Sequence, residues 1–580
     1  MPETQFQFKT VGNFTGGLDT SVPGDMLEDN KSPDLLNVFI DKGVLKVDTG
    51  YQTFGSTVTG YPQLCVQLFY KNGNSDLVLI TTTRCYKWSN SEWQFVGGDT
   101  TTTLSSNASQ NDTDIDVTDD SGFSDGDNIC IKLDSGSQHC TTVDGAPAAN
   151  TITLTDAMPS AATSGNAVIE PVVLDGNLEN QVNFAQWVAG DILIITNNRD
   201  NVKQFDGDTL TDVSNLPSGG SCLAVNVYVF NNYLMLINTT EGGTQYPQRV
   251  RWCDTGDITD WSNGNASYED LYDKEDYCLG VLSLGPYLYI YRERSIYRCS
   301  YVGATDLLFE FELMVSGEGV VSSQAVADVG DWHLFWGNSN LYRYDGDFSI
   351  RPMADHIYYK IFGTDGIASP SYIGKTFGLY IEELDEIWFL FPSTGQEYPD
   401  TLLRYSIVTD AIFIREFDHK FLGYGFYSTT NAKTWSDLSG SWLQQSWTWN
   451  SKRITSSSPI TLLCGYDPKQ VYQYDYTTNQ DAGTDISWYF ETKDFTTPSE
   501  KLRLDLLEFE AKGPTTKVLY STDEGRNWTQ IESKTMGTYY QKHRIWKQVV
   551  SDQFRIRFEG DSSGFAVKRL KAKIKEESFW

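Results

Sequence analysis

A five-residue phrase returns seven times along the 580 residues: an apolar residue, any residue, a polar or aromatic one, an aromatic or Cys, then Ser or Asp. It reads CYKWS from Cys85, VKQFD from Val202, VRWCD from Val250, IYRCS from Ile296, LYRYD from Leu341, LLRYS from Leu402 and VYQYD from Val471. A short apolar run precedes each copy, among them Leu77 to Ile80, Leu234 to Ile237 and Ile387 to Phe391. The repeating unit is therefore a hairpin. Two copies continue into Asp206-Gly207-Asp208 and Asp345-Gly346-Asp347, where Gly supplies the positive φ of a tight turn.

From Val202 onward, successive copies start 48, 46, 45, 61 and 69 residues apart. A period near 45 with several strands per repeat marks a propeller blade, a sheet that buries both faces only when neighbours stack on it. Apolar residues recur every second position throughout, so the chain is all-β. The spacing predicts a β-propeller of about seven blades, or six if one hairpin belongs to an accessory sheet. The strip from about Leu36 to Phe54 is expected to complete it by pairing with the last blade.

The gap of 117 residues between Cys85 and Val202 breaks the rhythm. Within it, residues 100–172 are rich in Thr, Ser, Asp, Gly and Ala, and Ile115 to Val117, Asn128 to Leu133 and Thr151 to Leu154 form short strand patterns. This is an inserted small β domain. It separates residues 1–99, the N-terminal strip and first blade, from residues 173–485, the remaining blades. After Tyr476 the phrase stops, and residues 486–580 carry the alternation of a C-terminal β-sandwich, strictest in Phe554 to Phe558. Leu504, Leu506, Leu507 and Phe509 change phase midway, which predicts a bulge.

The chain carries 77 acidic against 44 basic residues, a formal net charge of -33. Such a balance excludes a phosphate-clamping nucleic-acid binder, which works by cationic displacement of counterions. The imbalance reverses locally: from Gln541 to Trp580 basic residues outnumber acidic ones, with Lys571, Lys573 and Lys575 alternating on one strand. That edge suits an acidic neighbour. No run approaches the 18 apolar residues of a membrane span, and MPETQFQFKT has no signal-peptide pattern. A cytoplasmic site of synthesis is expected, and with it nine reduced cysteines, of which Cys85, Cys253, Cys299 and Cys464 lie on or beside the hairpins.

Gly16-Gly17-Leu18-Asp19-Thr20, Pro33 to Val38, Gly43-Val44-Leu45 and Gly50-Tyr51 form an ordered series of turns and short strands. With the inserted domain's Asp125-Gly126-Asp127 and Leu133-Asp134-Ser135-Gly136, and the C-terminal Tyr520 to Gly525 and Trp528, this series resembles propeller-type virion proteins of tailed bacteriophages. It is most similar to the tail nozzle (tail hub or stabilisation) family of short-tailed phages. The resemblance implies a virion structural protein assembled in the host cytoplasm, a homohexameric ring below portal and adaptor that conducts and gates DNA during ejection. It also implies docking to a head-to-tail adaptor and to a needle, fibre or spike, with DNA passing unbound, no cofactor and no catalytic residue. The candidate interface residues are Gly16, Gly17, Leu18, Asp19, Trp435, Trp442, Trp447, Trp449, Lys571, Lys573, Lys575, Phe579 and Trp580.

A second class stays open: a carbohydrate-binding or glycoside-hydrolysing β-propeller, in which the Trp435 to Trp449 loop stacks sugars. Ser521 to Trp528 matches the Asp-box pattern S-x-D-x-G-x-x-W of propeller sialidases, but that motif shapes a hairpin turn. An arginine cluster of sialidase type would have to come from Arg292, Arg294, Arg298, Arg343 and Arg404 beside Tyr291. Salt-bridge roles suit those arginines better. The five His residues lack metal-ligand spacing. Asp112, Asp114, Asp116, Asp119, Asp120, Asp125 and Asp127 lack EF-hand spacing and read as turn carboxylates.

Overall fold

The computed structural model describes residues 7–11, 14–41, 43–304, 307–428, 459–496, 501–561 and 564–577. Among them helix is confined to single turns such as Pro217–Gly220 and Tyr358–Ile361. The remainder is all-β, with the successive antiparallel meanders of a β-propeller. Each of the seven phrases is the third strand of its own sheet, from Cys85–Ser89 to Val471–Asp475. Gly207 and Gly346 take φ of 112° and 90° in the two Asp-Gly-Asp turns, and Asp206 accepts from the backbone N–H of Asp208 and Thr209.

The chain divides into two compact units. One, the blade-and-insert unit, comprises Thr53–Gln324 and Phe421–Gln473. Its second strands break the expected alternation. Tyr233–Glu241 is buried almost throughout and apolar from Tyr233 to Ile237, because Leu234 and Leu236 join one core cluster while Met235 and Ile237 join the next. A strand inside a stack has no wet face. Glycines allow the tightest approach: a Cβ on Gly423 would lie 1.8 Å from the Gln63 carbonyl oxygen.

The inserted segment has its own core of Leu104, Ile115, Val117, Phe123, Ile129, Ile131, Ile152, Leu154 and Val168. Its strands include Asp114–Asp116, Asn128–Lys132 and Thr151–Thr153. The expectation of nine reduced cysteines needs correction here. Cys130 and Cys140 stand opposite each other on adjacent antiparallel strands and form a disulfide, a pairing that only the strand register brings about. The other seven are buried free thiols, Cys65 and Cys464 with sulfurs 3.7 Å apart. Burial raises the pKa of each thiol that shifts, Cys253 to about 11.

The other, terminal unit comprises Met1–Gln52, Ala325–Lys420 and Tyr474–Trp580. It holds the sheets carrying the Leu341 and Leu402 phrases and the C-terminal sheet. Of the N-terminal strip, only Gly50–Phe54 sits beside Val471–Asp475 in sheet order. Leu35–Leu36, Val38–Asp41, Val44–Val47 and Gln7–Val11 belong instead to the C-terminal sheet: Leu35 pairs with Phe490, and Leu45 with Val567. Leu35, Val38, Leu45 and Val47 are buried in that sheet's core, where Phe14 meets Phe490 edge-on at 5.0 Å. The predicted bulge is present, as a register shift between Leu504 and Leu506 against both flanking strands.

Candidate docking face

Two long strands, Lys501–Ser521 and Thr529–Ser551, pair antiparallel, and Ala566–Glu577 lies along the other side of the first. Residues opposite one another in a ladder point to the same face. Their register therefore builds rows of three: Lys542, Glu510 and Arg569; Arg544, Glu508 and Lys571; Trp546, Leu506 and Lys573; Val550, Arg503 and Lys575. Lys571, Lys573 and Lys575, picked out from sequence, thus share a face with Lys542, Arg544, Arg569 and Arg503. Glu508 and Glu510 offset them within these rows, and Arg503 pairs with the nearby Asp505 at 2.8 Å. Arg544, 2.8 Å from Glu508, holds that carboxyl below its usual range. Trp546 is 69% exposed at the middle of the face and Val550 43%. The face is basic and centred on an aromatic ring, in a chain of net charge -33, so its charge is complementary to an acidic surface.

Lys542, Arg544, Arg569 and Trp546 were missed as single residues because their positions on one face follow from a register that bulges shift twice. The surplus of Lys and Arg after Gln541 was the available signal. Gly16, Gly17, Leu18 and Asp19 call for a correction. Gly17, Leu18 and Asp19 are buried inside the terminal unit, and a Cβ on Gly17 would meet the Ile412 carbonyl oxygen at 2.8 Å. Asp19 accepts hydrogen bonds from Ser21 and Lys31. Gly17, Leu18 and Asp19 are internal packing, and Gly16 is partly buried. Trp435, Trp442, Trp447, Trp449, Phe579 and Trp580 lie outside the described residues.

Four of the five arginines considered for a sialidase centre, Arg292, Arg298, Arg343 and Arg404, are engaged elsewhere. Arg292 is buried, 2.9 Å from Asp276 and donating to the Leu271 and Lys274 carbonyls. Arg298 pairs with Glu312, and Arg343 with Asp345. Arg404 is buried between Asp48 and Glu386, each 2.6 Å away, with Trp388 Nε1 donating to Glu386 and the Tyr474 hydroxyl to Asp48. Burial pushes Asp48 up, but Arg404, Arg415 and the Thr49 N–H together hold it below its ordinary value. Arg415 pairs with Asp481, whose pKa burial raises to about 6 against the pull of that cation. Arg555 binds Glu491 and Asp494 at 2.9 and 2.6 Å, and burial raises Glu491 to about 7.

The Asp-box residues form the expected turn: Asp523 accepts from Ser521 Oγ, Asn527 N and Asn527 Nδ2, while Gly525 has φ 87°. The insert's aspartates serve separate turns and strands, Asp112 accepting from Ser109, Asp120 from Asn150 and Asp125 from Gly145. Among the described residues no cluster of metal-ligating side chains occurs. One cleft of about 500 Å³ opens between the first blade and the insert, lined by Gln94, Phe95, Thr101, Thr103, Lys132, Gln138 and Asn166. Its lining is rich in amides and hydroxyls.

No family model and no curated protein matches the sequence. Solved structures with some likeness include PorZ, a surface component of the type-IX secretion system of Porphyromonas gingivalis. It is 9% identical over 83% of this chain and 46% of that chain, with a TM-score of 0.29. The chain thus spans less than half the length of PorZ. An exo-β-1,3-galactanase from Phanerochaete chrysosporium is 7% identical over 69% of this chain and 97% of its own, TM-score 0.23. A family 29 carbohydrate-binding module is 16% identical over 20% and 76%, TM-score 0.12. These likenesses concern the fold alone.

Proposed function

We propose that this protein is a non-catalytic docking protein of an assembly, and that the virion tail nozzle is the specific form of that role. The observation that carries the docking role is the ladder of cations around Trp546 on one face of the C-terminal sheet, in a chain otherwise strongly acidic. Complementary potentials of this kind steer encounter and fix orientation more than they add affinity. The nozzle form rests on the resemblance of the N-terminal strip, insert and C-terminal turn to that family. The acidity of the rest of the chain suits passage of DNA without adhesion, since like charge repels phosphate over a screening length of about 8 Å at physiological salt.

The test is the composition of purified tailed particles: the nozzle reading expects this chain in a six-copy ring, and its absence from particles that package and eject DNA would refute it. For the docking role itself, replacing Lys571, Lys573 and Lys575 by Glu is expected to abolish incorporation while leaving the fold intact. Incorporation that survives the triple change removes the face from the account.

A second reading, a carbohydrate-binding β-protein, is favoured by the amide- and hydroxyl-lined cleft between blade and insert. Amide side chains and an aromatic wall suit sugar hydroxyls and ring faces. Glycan-array binding by the purified chain, lost on Gln138→Ala or Asn166→Ala, would establish it.

A further inference from the structure

Strand Thr529–Ser551 is 23 residues long and bonded on one side only, to Lys501–Ser521. Among the described residues no strand pairs with its other side. Proteins normally blunt such an edge by keeping it short or interrupting it with proline. This edge is long and contains no proline, and three register shifts against its neighbour, one between Trp546 and Val549, bend it without closing it off. Its cations, Lys542, Arg544 and Lys547, stop two copies from pairing edge to edge, since like charges would face each other. Blunting by charge does not account for Trp546 at 69% exposure or Val550 at 43% on that same face.

We propose that this edge receives an extended acidic segment of a partner protein as an added antiparallel strand, an inference that rests on the docking role above and names its chemistry. Main-chain hydrogen bonds supply the affinity of such augmentation and alternate side chains its specificity. The register here sets that specificity. Lys542 and Arg544 call for acidic residues opposite them, and Trp546 and Val550 for apolar ones. Read from the incoming strand's N-terminus, the pattern is two apolar residues about four positions apart, to match Val550 and Trp546, then two acidic residues at alternate spacing, to match Arg544 and Lys542. A nucleic acid has no backbone that continues the ladder, and the chain's net charge of -33 opposes it.

The probe is a short capped peptide with Val, Val, Glu and Glu at the matching positions separated by Thr, titrated into the full chain. Binding is expected to quench Trp546 fluorescence and to protect amides of residues 541–551 from hydrogen exchange. Lys542→Glu with Arg544→Glu should weaken binding at least tenfold, and a peptide carrying Lys in place of Glu should restore it, which excludes misfolding as the cause. The same acidic peptide N-methylated along one edge should not bind. Equal binding of the N-methylated peptide would overturn strand addition while leaving a purely electrostatic docking face standing. Competition by a short DNA duplex for the same residues would also overturn it.

Discussion

Replacing Arg404 by Met leaves two carboxylates, Asp48 and Glu386, buried without their cation. Their side chains are 1% and 8% exposed, and Arg404 reaches both at 2.6 Å. Methionine fits the slot sterically, between the rings of Phe39 and Trp388, which lie 4.3 and 5.3 Å from the guanidinium. The loss is therefore electrostatic. Breaking a buried pair by removing one partner costs about 3–5 kcal/mol, most of it from the charge left behind. For a unit of this size that lowers the unfolding temperature by roughly 10 °C, readable by calorimetry on the full chain as a shift of one transition. The pH dependence makes the argument specific. Without Arg404, burial pushes Asp48 up against only Arg415 and the Thr49 N–H, so its folded pKa rises from the parent's lowered value and the variant loses stability relative to the parent as pH rises. Its deficit against the parent should be largest near pH 8 and shrink towards pH 5. A deficit below about 1 kcal/mol, or one that does not change with pH, would refute the assignment of this cluster as a charge-balanced core.

Glu491, raised to about 7, and Asp481, raised to about 6, bind protons more tightly folded than unfolded. Both therefore contribute stability below their unfolded values that is lost as pH rises through their folded ones; the unfolding temperature should fall between about pH 5 and pH 8, and Glu491→Gln should flatten that slope. Gly423→Ala puts a methyl 1.8 Å from the Gln63 carbonyl oxygen, which forces two strands apart and should cost at least ~3 kcal/mol, measured as a shift of the denaturation midpoint. Cys130→Ser with Cys140→Ser opens a bridge of sequence separation 10 and should destabilise the insert by ~2–3 kcal/mol. Proteolysis of that pair variant should cut within residues 100–172 while the C-terminal sheet stays intact.

The repeating hairpins were legible because a phrase that ends in an aromatic and then Ser or Asp fixes strand, face and turn together, and each copy became the third strand of a meander. The bulge at Leu504 to Leu506 was legible for a similar local reason, since a change of phase in apolar residues has few other meanings. What escaped the sequence was long-range pairing. Nothing local in Leu35 or Leu45 says that their partners are Phe490 and Val567, and nothing in Cys130 announces Cys140 across a ladder. The docking face was half visible for the same reason: Lys571, Lys573 and Lys575 alternate along one strand, whereas Lys542, Arg544 and Trp546 join them only through the register.

The sharing of one sheet by the first fifty residues and the last ninety has a consequence during synthesis. A ribosome releases Leu35 to Val47 long before Phe490 or Val567 exists, so the emerging strip must wait, apolar and unsatisfied, for nearly the whole message to be read. A nonsense or frameshift product ending before the final strand would leave Leu45 and Lys46 without Val567 and Ala566, and one ending before Phe490 would also leave Leu35 without its partner, marking the strip for chaperones and proteases. Full-length translation becomes a condition for a finished terminal unit.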